Sequence, residues 1–272
     1  MYRFLIQSKI IKNNNRIPMQ DFGYEVIKAI EYYDWIDFEK RYDYELVTDF
    51  AFKSGRYGAP EAVPFNYLTQ ESVPVGSVEF VIEFMKQCYG INNVEPLNIP
   101  QELIVFANRN IQYIKNTEFK EKLDSNKEYF IKSATKIKGF TDRIIPRNKT
   151  VPDDTYMVSD IIDIDSEWRC FVKNGELLDI KCYSGNPFIL PSIPVIEEMI
   201  KAYKSCPPAY TLDVCIESNG RTSIIECHNF FSCGLYGFSD YRNYPIMLIR
   251  AFKWQVSKEQ KKKQCVNCSN SN

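Results

Sequence analysis

Residues 209–229 read AYTLDVCIESNGRTSIIECHN, two alternating apolar-polar runs joined at Asn219-Gly220. Asn-Gly between such runs is the strongest short-range hairpin signal, because both residues of a two-residue loop must accept positive φ. With Asn219 and Gly220 as the loop, Ser218 faces Arg221, and the register sets Asp213 directly opposite Glu226. Cβ atoms of a facing pair lie about 5 Å apart, close enough for like charges to destabilise a sheet. A cation held between the two carboxylates removes that penalty. The period of two adds Thr211 and His228, the single histidine of the chain, to the same face. Leu212, Val214, Ile216 and Ile225 make the other face, which reads as core. A solvated polar face on an ordinary hairpin is the alternative reading of the same pattern.

The composition bounds what this hairpin belongs to. At 272 residues the chain is long enough for two modest domains or one large one. Apolar and charged fractions of 44% and 25% are those of a soluble globular protein. A net charge of −1 with no basic domain argues against a duplex nucleic-acid binder. No apolar run reaches the length of a membrane span, and the opening MYRFLIQSKIIKNNN has neither signal-peptide core nor cleavage site. Nine cysteines scattered through apparent core strands read as reduced thiols, as expected of a cytoplasmic protein. Cys265 and Cys268 stand in a polar tail, without the second pair a structural zinc site needs. The tail, 257–272, is expected to be disordered.

Along the chain, 1–100 alternates strand and helix. An apolar strand at 2–7, an amphipathic helix around 24–33 and a second strand at 44–50 lead to a Gly- and Pro-containing loop at 55–64. A helix at 78–89 follows, with Ser77 as its N-cap. Residues 101–158 read as a small β-rich lobe, with strands at 128–133 and 142–145 around a loop at 134–141, then a strand at 155–159. Residues 159–256 read as a larger lobe: a hairpin of 168–172 and 177–183 across Asn174-Gly175, an amphipathic helix at 195–204, the opening hairpin and a final apolar segment.

Several cations accompany the two acids. Lys132 sits inside an apolar strand, where a lysine either snorkels to an edge or faces a ligand. The loop KIKGFT, 136–141, offers two ammonium groups, backbone N–H groups and a hydroxyl, which suits a polyphosphate and equally a solvated basic turn. Arg169 shares a strand face with Glu167 and Phe171. Beside a carboxylate-metal pair it would clamp a phosphoryl or carboxylate group; the alternative is an exposed ion pair with Glu167. SCGLYG, 232–237, follows the second acid strand, and its two glycines allow close backbone approach to a ligand.

The order of these elements, carried by YFIKSATKIKGFTDRI, SEWRCFVKNGELLDIKCYSG, LDVCIESNG and SIIECHNFFSCGLYGF, resembles the ATP-grasp superfamily. Within it the wording is most similar to a phage and bacterial clade named for one arginine and two lysines. The resemblance implies an α+β fold in which two α+β lobes, 101–158 and 159–256, sandwich ATP behind a small N-terminal α/β lobe. It implies that Arg109 reaches the nucleotide, Lys132 contacts the adenine side and α-phosphate, and Lys138 covers the phosphates. Met157, Ser159, Asp160 and Ile161 would line the adenine at the hinge, and Arg169 would meet the γ-phosphate or acyl phosphate. Asp213 and Glu226 would hold Mg²⁺. The family's third ligand is an Asn two residues after the Glu, a place taken here by His228, a poor direct Mg²⁺ ligand that would instead touch a phosphate, act as an acid or base, or favour Mn²⁺; Asn229 follows it. Asp142 stands where the family commonly has Gly and adds a negative charge near the expected phosphates. Ser232 and Gly234 would border the acceptor substrate. The implied activity is ATP-dependent ligation of a small-molecule or peptide carboxylate to an amine; a phosphotransferase or a non-enzymatic nucleotide-binding module would show the same residues.

Overall fold

The computed structural model describes residues 2–37, 41–48 and 71–269. The loop expected at 55–64 and the end of the strand expected at 44–50 lie outside them, as do the side chains of Cys265 and Cys268. Two compact units divide the chain: Met1–Asn93 together with Phe230–Asn272, and Val94–Asn229.

In the first unit, β1 (Tyr2–Ile10) is flanked by β3 (Tyr42–Val47) and β4 (Ser72–Val75), both parallel to it, and by the short antiparallel β2 (Arg16–Pro18). Parallel strands are buried on both faces and read as continuous apolar runs. Phe4, Leu5 and Ile6 of β1 and the whole of β4 accordingly lie in the core. Helix α1 (Asp21–Asp37) intervenes between β2 and β3, and α2 (Val78–Tyr89) follows β4. The helix expected at 78–89 is therefore present, and the Phe80 N–H donates to Ser77 Oγ at 3.2 Å as a capping serine should accept.

The C-terminal segment departs from expectation. The lobe boundary expected at 256 does not separate it, because Phe230–Asn272 clusters with the N-terminal strands. The tail expected to be disordered continues the last helix, Tyr244–Ser269. Lys, Glu and Gln are good helix formers, and i,i+4 and i,i+3 contacts of Gln255–Glu259 and Glu259–Lys262 support that segment. Phe252 of the same helix packs edge-on against Phe84, and Lys263 donates to the carbonyl of Gly90 at the C-terminus of α2.

The second unit holds two antiparallel sheets. The smaller runs β5 (Ile111–Lys115), β8 (Thr155–Asp160), β6 (Tyr129–Ser133), β7 (Thr141–Ile144), with the single-turn α3 (Phe119–Lys122) between β5 and β6. The larger runs β10 (Glu176–Gly185), β9 (Ile164–Lys173), β11 (Ala209–Glu217), β12 (Thr222–Asn229). One face of the larger sheet packs Val172, Leu212, Val214, Ile216 and Ile224 against Ile196, Met199 and Ile200 of α4 (Ile193–Ala202). The opposite face carries the charges. Among the described residues the cysteines are free thiols, and no helix is long and apolar enough to cross a membrane.

Candidate active site

Asp213 and Glu226 face each other across β11 and β12, as the sequence register demands, although the hairpin reaches that register by another route. Its loop has three residues, not two. Glu217 N–H donates to the Arg221 carbonyl at 2.9 Å, and only Gly220 has positive φ, 82°. The side chain of Asn219 clasps both flanks, donating to Glu217 Oε2 at 3.1 Å and accepting from the Arg221 N–H at 3.0 Å. The resulting one-residue offset is cancelled by a bulge: Val214 faces Ile224 while Asp213 faces Glu226, leaving Ile225 unpaired. Ile224 thus takes the core place that the sequence assigned to Ile225.

Beyond Glu226 the ladder is regular: Leu212 faces Cys227, Thr211 faces His228 and Tyr210 faces Asn229. His228 consequently shares the face of the two acids, and Asn229 points with Tyr210 to the other side. One ligand atom from each of Asp213, Glu226 and His228 falls within 4.8 Å of the others. His228 Nε2 stands 3.3 Å from Asp213 and 3.1 Å from Glu226.

The same rung extends across the sheet. Lys181 on β10 faces Arg169 on β9, which faces Asp213. Arg169 grips Asp213 with Nε and Nη2 at 2.9 and 2.8 Å, and Lys132, from the smaller sheet, pairs with Glu226. Arg169 does not pair with Glu167, the partner its own strand offered; Glu167 instead accepts from the Tyr183 hydroxyl at 2.8 Å. Burial by itself pushes Asp213 up, but the hydrogen bonds from Arg169 and then His228 hold it below the usual carboxylate range. Burial opposes ionisation of Glu226 too, yet His228 and Lys132 bring it down to about 2. Burial works against a charged His228, and its bonds to Asp213 and Glu226 prevail, raising it to about 9.

Arg109, just beyond a 3₁₀ helix at Gln101–Ala107, donates through Nη1 to the carbonyls of Ala107 and Ile224 and through Nε to Ser159 Oγ. β12 is the outer strand of its sheet, so its outward backbone groups need partners. Arg109 takes Ile224 O, Asn98 O accepts from Cys227 N–H at 2.7 Å, and the Asn108 amide donates to Thr222 O at 3.4 Å and also to the Ser223 hydroxyl at 2.6 Å. The step from 224 to 227 follows the bulge, which shifts the outward positions by one residue.

The remaining expected residues fall as follows. Lys138 lies exposed on the loop between β6 and β7 with φ 54°, and the base of that loop is tied by Asp154, which accepts from Ser133 and Thr135. Asp142 does not present a lone negative charge there, since Lys149 pairs with it. Met157, Ser159 and Asp160 belong to β8, a central strand whose backbone is engaged by β5 and β6. The first residues past that ladder are Ile161 to Asp163. In the other unit, the Ser232 hydroxyl donates to Gly76 O at 2.5 Å, and Ser232 and Gly234 border a cavity of about 680 Å³ with Asp21, Glu25, Tyr236 and Tyr241. Tyr183 and Lys181 also stand on the site face, without a sequence motif to mark them. With Lys173 facing Glu176, a straight ladder sets Ile180 opposite Arg169; the irregularity between Leu177 and Asp179, which no sequence signature marks, brings Lys181 there instead, with Tyr183 two residues further on.

Two carboxylates and an imidazole form a donor set that fits a small divalent cation, oxygen ligands suiting Mg²⁺ and the added nitrogen suiting Mn²⁺. Thr211, on the same face beside His228, keeps a fully buried hydroxyl that has no hydrogen-bond partner among the described residues. An orphaned hydroxyl there fits a site that completes its bonding with a ligand.

A protein-family model for the ATP-grasp domain, family 2 of the clade named for one arginine and two lysines, matches residues 106–245, just over half of the chain. The chain belongs to the ATP-grasp superfamily. This ATP-grasp chain is also similar to solved structures. N5-carboxyaminoimidazole synthetase from Staphylococcus aureus superposes with a TM-score of 0.52 at 11% identity, covering 91% of this chain and 77% of that one. The same enzyme complexed with ADP gives 0.52 at 10% identity, covering 92% and 77%. D-cycloserine synthetase DcsG gives 0.50 at 8% identity, covering 93% and 99%. At these identities the likeness speaks for the fold. No curated protein sequence matches the chain. The ATP-grasp fold accounts for the two antiparallel sheets of the second unit, with Asp213 and Glu226 on the larger sheet and Lys132 on the smaller.

Proposed function

We propose that this protein is an ATP-dependent ligase joining a carboxylate to an amine through an acylphosphate, with ADP, phosphate and an amide as products. The observation that carries this reading is the meeting of Arg169, Lys132 and His228 on the facing carboxylates of Asp213 and Glu226. The names of the fold relatives, synthetases of a carboxyaminoimidazole and of D-cycloserine, support it.

Asp213, Glu226 and His228 would hold Mg²⁺ or Mn²⁺. A divalent cation at that place supplies charge against which phosphate oxygens are neutralised and oriented. Lys132 would contact the α-phosphate, Lys138 would cover the triphosphate from its loop, and Arg169 would bind the γ-phosphate. Residues 161–163, past the end of the β8 ladder, offer the backbone edge for adenine, with Met157, Ser159 and Asp160 behind them. Arg109 ties the start of β5 to the edge of β12 through the carbonyl of Ile224. A carboxylate oxygen of the first substrate attacks the γ-phosphorus and breaks its bond to ADP; the amine then attacks the acyl carbon and expels phosphate. Substrates, small molecules or peptides, would be met by the loop containing Ser232 and Gly234. Such catalysis is positioning and charge neutralisation and needs no protein nucleophile. Burial pushes the Cys170 and Cys227 thiols well up, in keeping with a packing role.

The test is thermal unfolding with and without Mg-ATP for the wild type and Asp213→Asn, followed by hydroxylamine trapping. Ligand binding only the folded state adds about 2.7 kcal/mol at one hundred times Kd. A Mg-dependent rise that shrinks in Asp213→Asn is expected, with a hydroxamate formed from the right carboxylate. No shift at millimolar ATP overturns the reading. ADP formed together with a stable phosphorylated acceptor indicates a phosphotransferase instead.

A further inference from the structure

Arg169 rests on an aromatic ring as well as on an acid. Its guanidinium carbon lies 5.7 Å from the centre of the Tyr183 ring, while Nε and Nη2 grip Asp213. Tyr183 reaches this position because β10 is irregular: Cys182 faces Trp168 and Ser184 faces Glu167, so Tyr183 is the extra residue between them. Bulges re-aim side chains in this way beside active sites. Its hydroxyl donates to Glu167 Oε2 at 2.8 Å, so that a second acid, not Arg169, takes that bond. Burial, and then the charges of Asp213 and Glu167, push the phenol well above its ordinary value, so it remains a donor.

We propose that Tyr183 is a positioning residue for Arg169 and, through it, sets discrimination between a nucleoside triphosphate and a diphosphate. The second half rests on the ATP-ligase reading above. Asp213 is shared between Arg169 and the cation it would hold; the Tyr183 ring is a support that Arg169 need not share with a metal. A cation over an aromatic face is bound more strongly when it is desolvated, as Arg169 is here. A ring at this place restricts the plane of the guanidinium without using any of its donors, so that those Asp213 does not engage are held in a fixed direction for a γ-phosphate.

The experiment is calorimetric titration of ATP and of ADP, with Mg²⁺ present, into wild type, Tyr183→Phe and Tyr183→Leu. Tyr183→Phe keeps the ring and should keep the ATP-to-ADP affinity ratio within about twofold. Tyr183→Leu should lower ATP affinity by about tenfold and leave ADP affinity unchanged. Equal losses for both nucleotides, or none in a folded Leu variant, overturn the discrimination role. Should Tyr183→Leu fail to fold, Tyr183→Met carries the same comparison. The Arg169 Nε–H resonance, assigned by its loss in Arg169→Lys, reads positioning without nucleotide. It should persist in Tyr183→Phe and shift and broaden in Tyr183→Leu. An unchanged resonance overturns the positioning role. If wild type binds neither nucleotide, the ATP reading and the discrimination role fall together, and the resonance still decides whether Tyr183 holds Arg169.

Discussion

Arg169 and Asp213 face each other across β9 and β11 and are joined by two parallel hydrogen bonds, with side-chain exposures of 7% and 2%. A buried charge pair is costly to break from one side, because the surviving charge is left desolvated. The pair therefore ties the site to the stability of the larger sheet even before a ligand arrives.

Asp213→Ala should destabilise the metal-free protein by about 3–5 kcal/mol, whereas Arg169→Met combined with Asp213→Leu should recover much of that loss. Denaturant unfolding at pH 7 with chelator present measures both. Equal losses in the single and double variants would contradict a coupled pair.

The metal-free protein should also carry a pH signature. The folded-state value of His228 is raised from 6.5 to about 9 by Asp213 and Glu226, despite burial. Its contribution is full below pH 6.5 and is lost as pH rises through about 9. Glu226 is lowered from 4.5 to about 2, so its contribution is present above 4.5 and lost as pH falls through about 2. Unfolding midpoints followed from about pH 6 to about pH 10 should decline in wild type, and that part of the decline should be missing in His228→Gln.

Arg109→Ala removes donors from the carbonyls of Ile224 and Ala107 and from Ser159 Oγ, and should cost about 1–3 kcal/mol. Arg109→Lys should rescue little, since a single ammonium cannot reproduce the guanidinium fork. Amide hydrogen exchange along β12 should quicken in both variants while β9, in the sheet interior, stays protected.

Two glycines with positive φ should respond differently to alanine. Gly220, at φ 82°, has open space where a Cβ would stand, so Gly220→Ala meets only conformational strain, about 1 kcal/mol. At Gly185, φ 77°, a Cβ would lie 2.2 Å from the backbone oxygen of Asp165. Gly185→Ala should be the more damaging by thermal unfolding, because a backbone atom cannot rotate away.

Most of the charged face was legible from alternation alone. Asp213, Glu226 and His228 share a face because the period of two is insensitive to what happens at the turn, provided the offsets cancel. They cancel here through side-chain chemistry that a dipeptide rule does not contain. Asn174-Gly175 makes the expected two-residue loop, with φ of 52° and 80°, whereas Asn219-Gly220 does not, because the Asn219 side chain bonds to Glu217 and Arg221. The alternative of an exposed Glu167–Arg169 pair fails because a buried carboxylate one strand away is the stronger partner. The tail reads as disordered because its polar composition resembles that of disordered segments, and one of the bonds that hold it, from Lys263 to Gly90, is long-range.

The covering of β12 by residues 98–109 has a consequence for where this ATP-grasp domain begins. The family match starts at residue 106, yet the compact unit starts at Val94, and Asn98 already pairs with Cys227. A fragment cut at 106 would leave the outward side of β12 with part of its backbone unpaired, and a bare strand edge is a template for stacking onto other chains. The dozen residues ahead of the match thus act as a selvedge, keeping the sheet from fraying into its neighbours in solution.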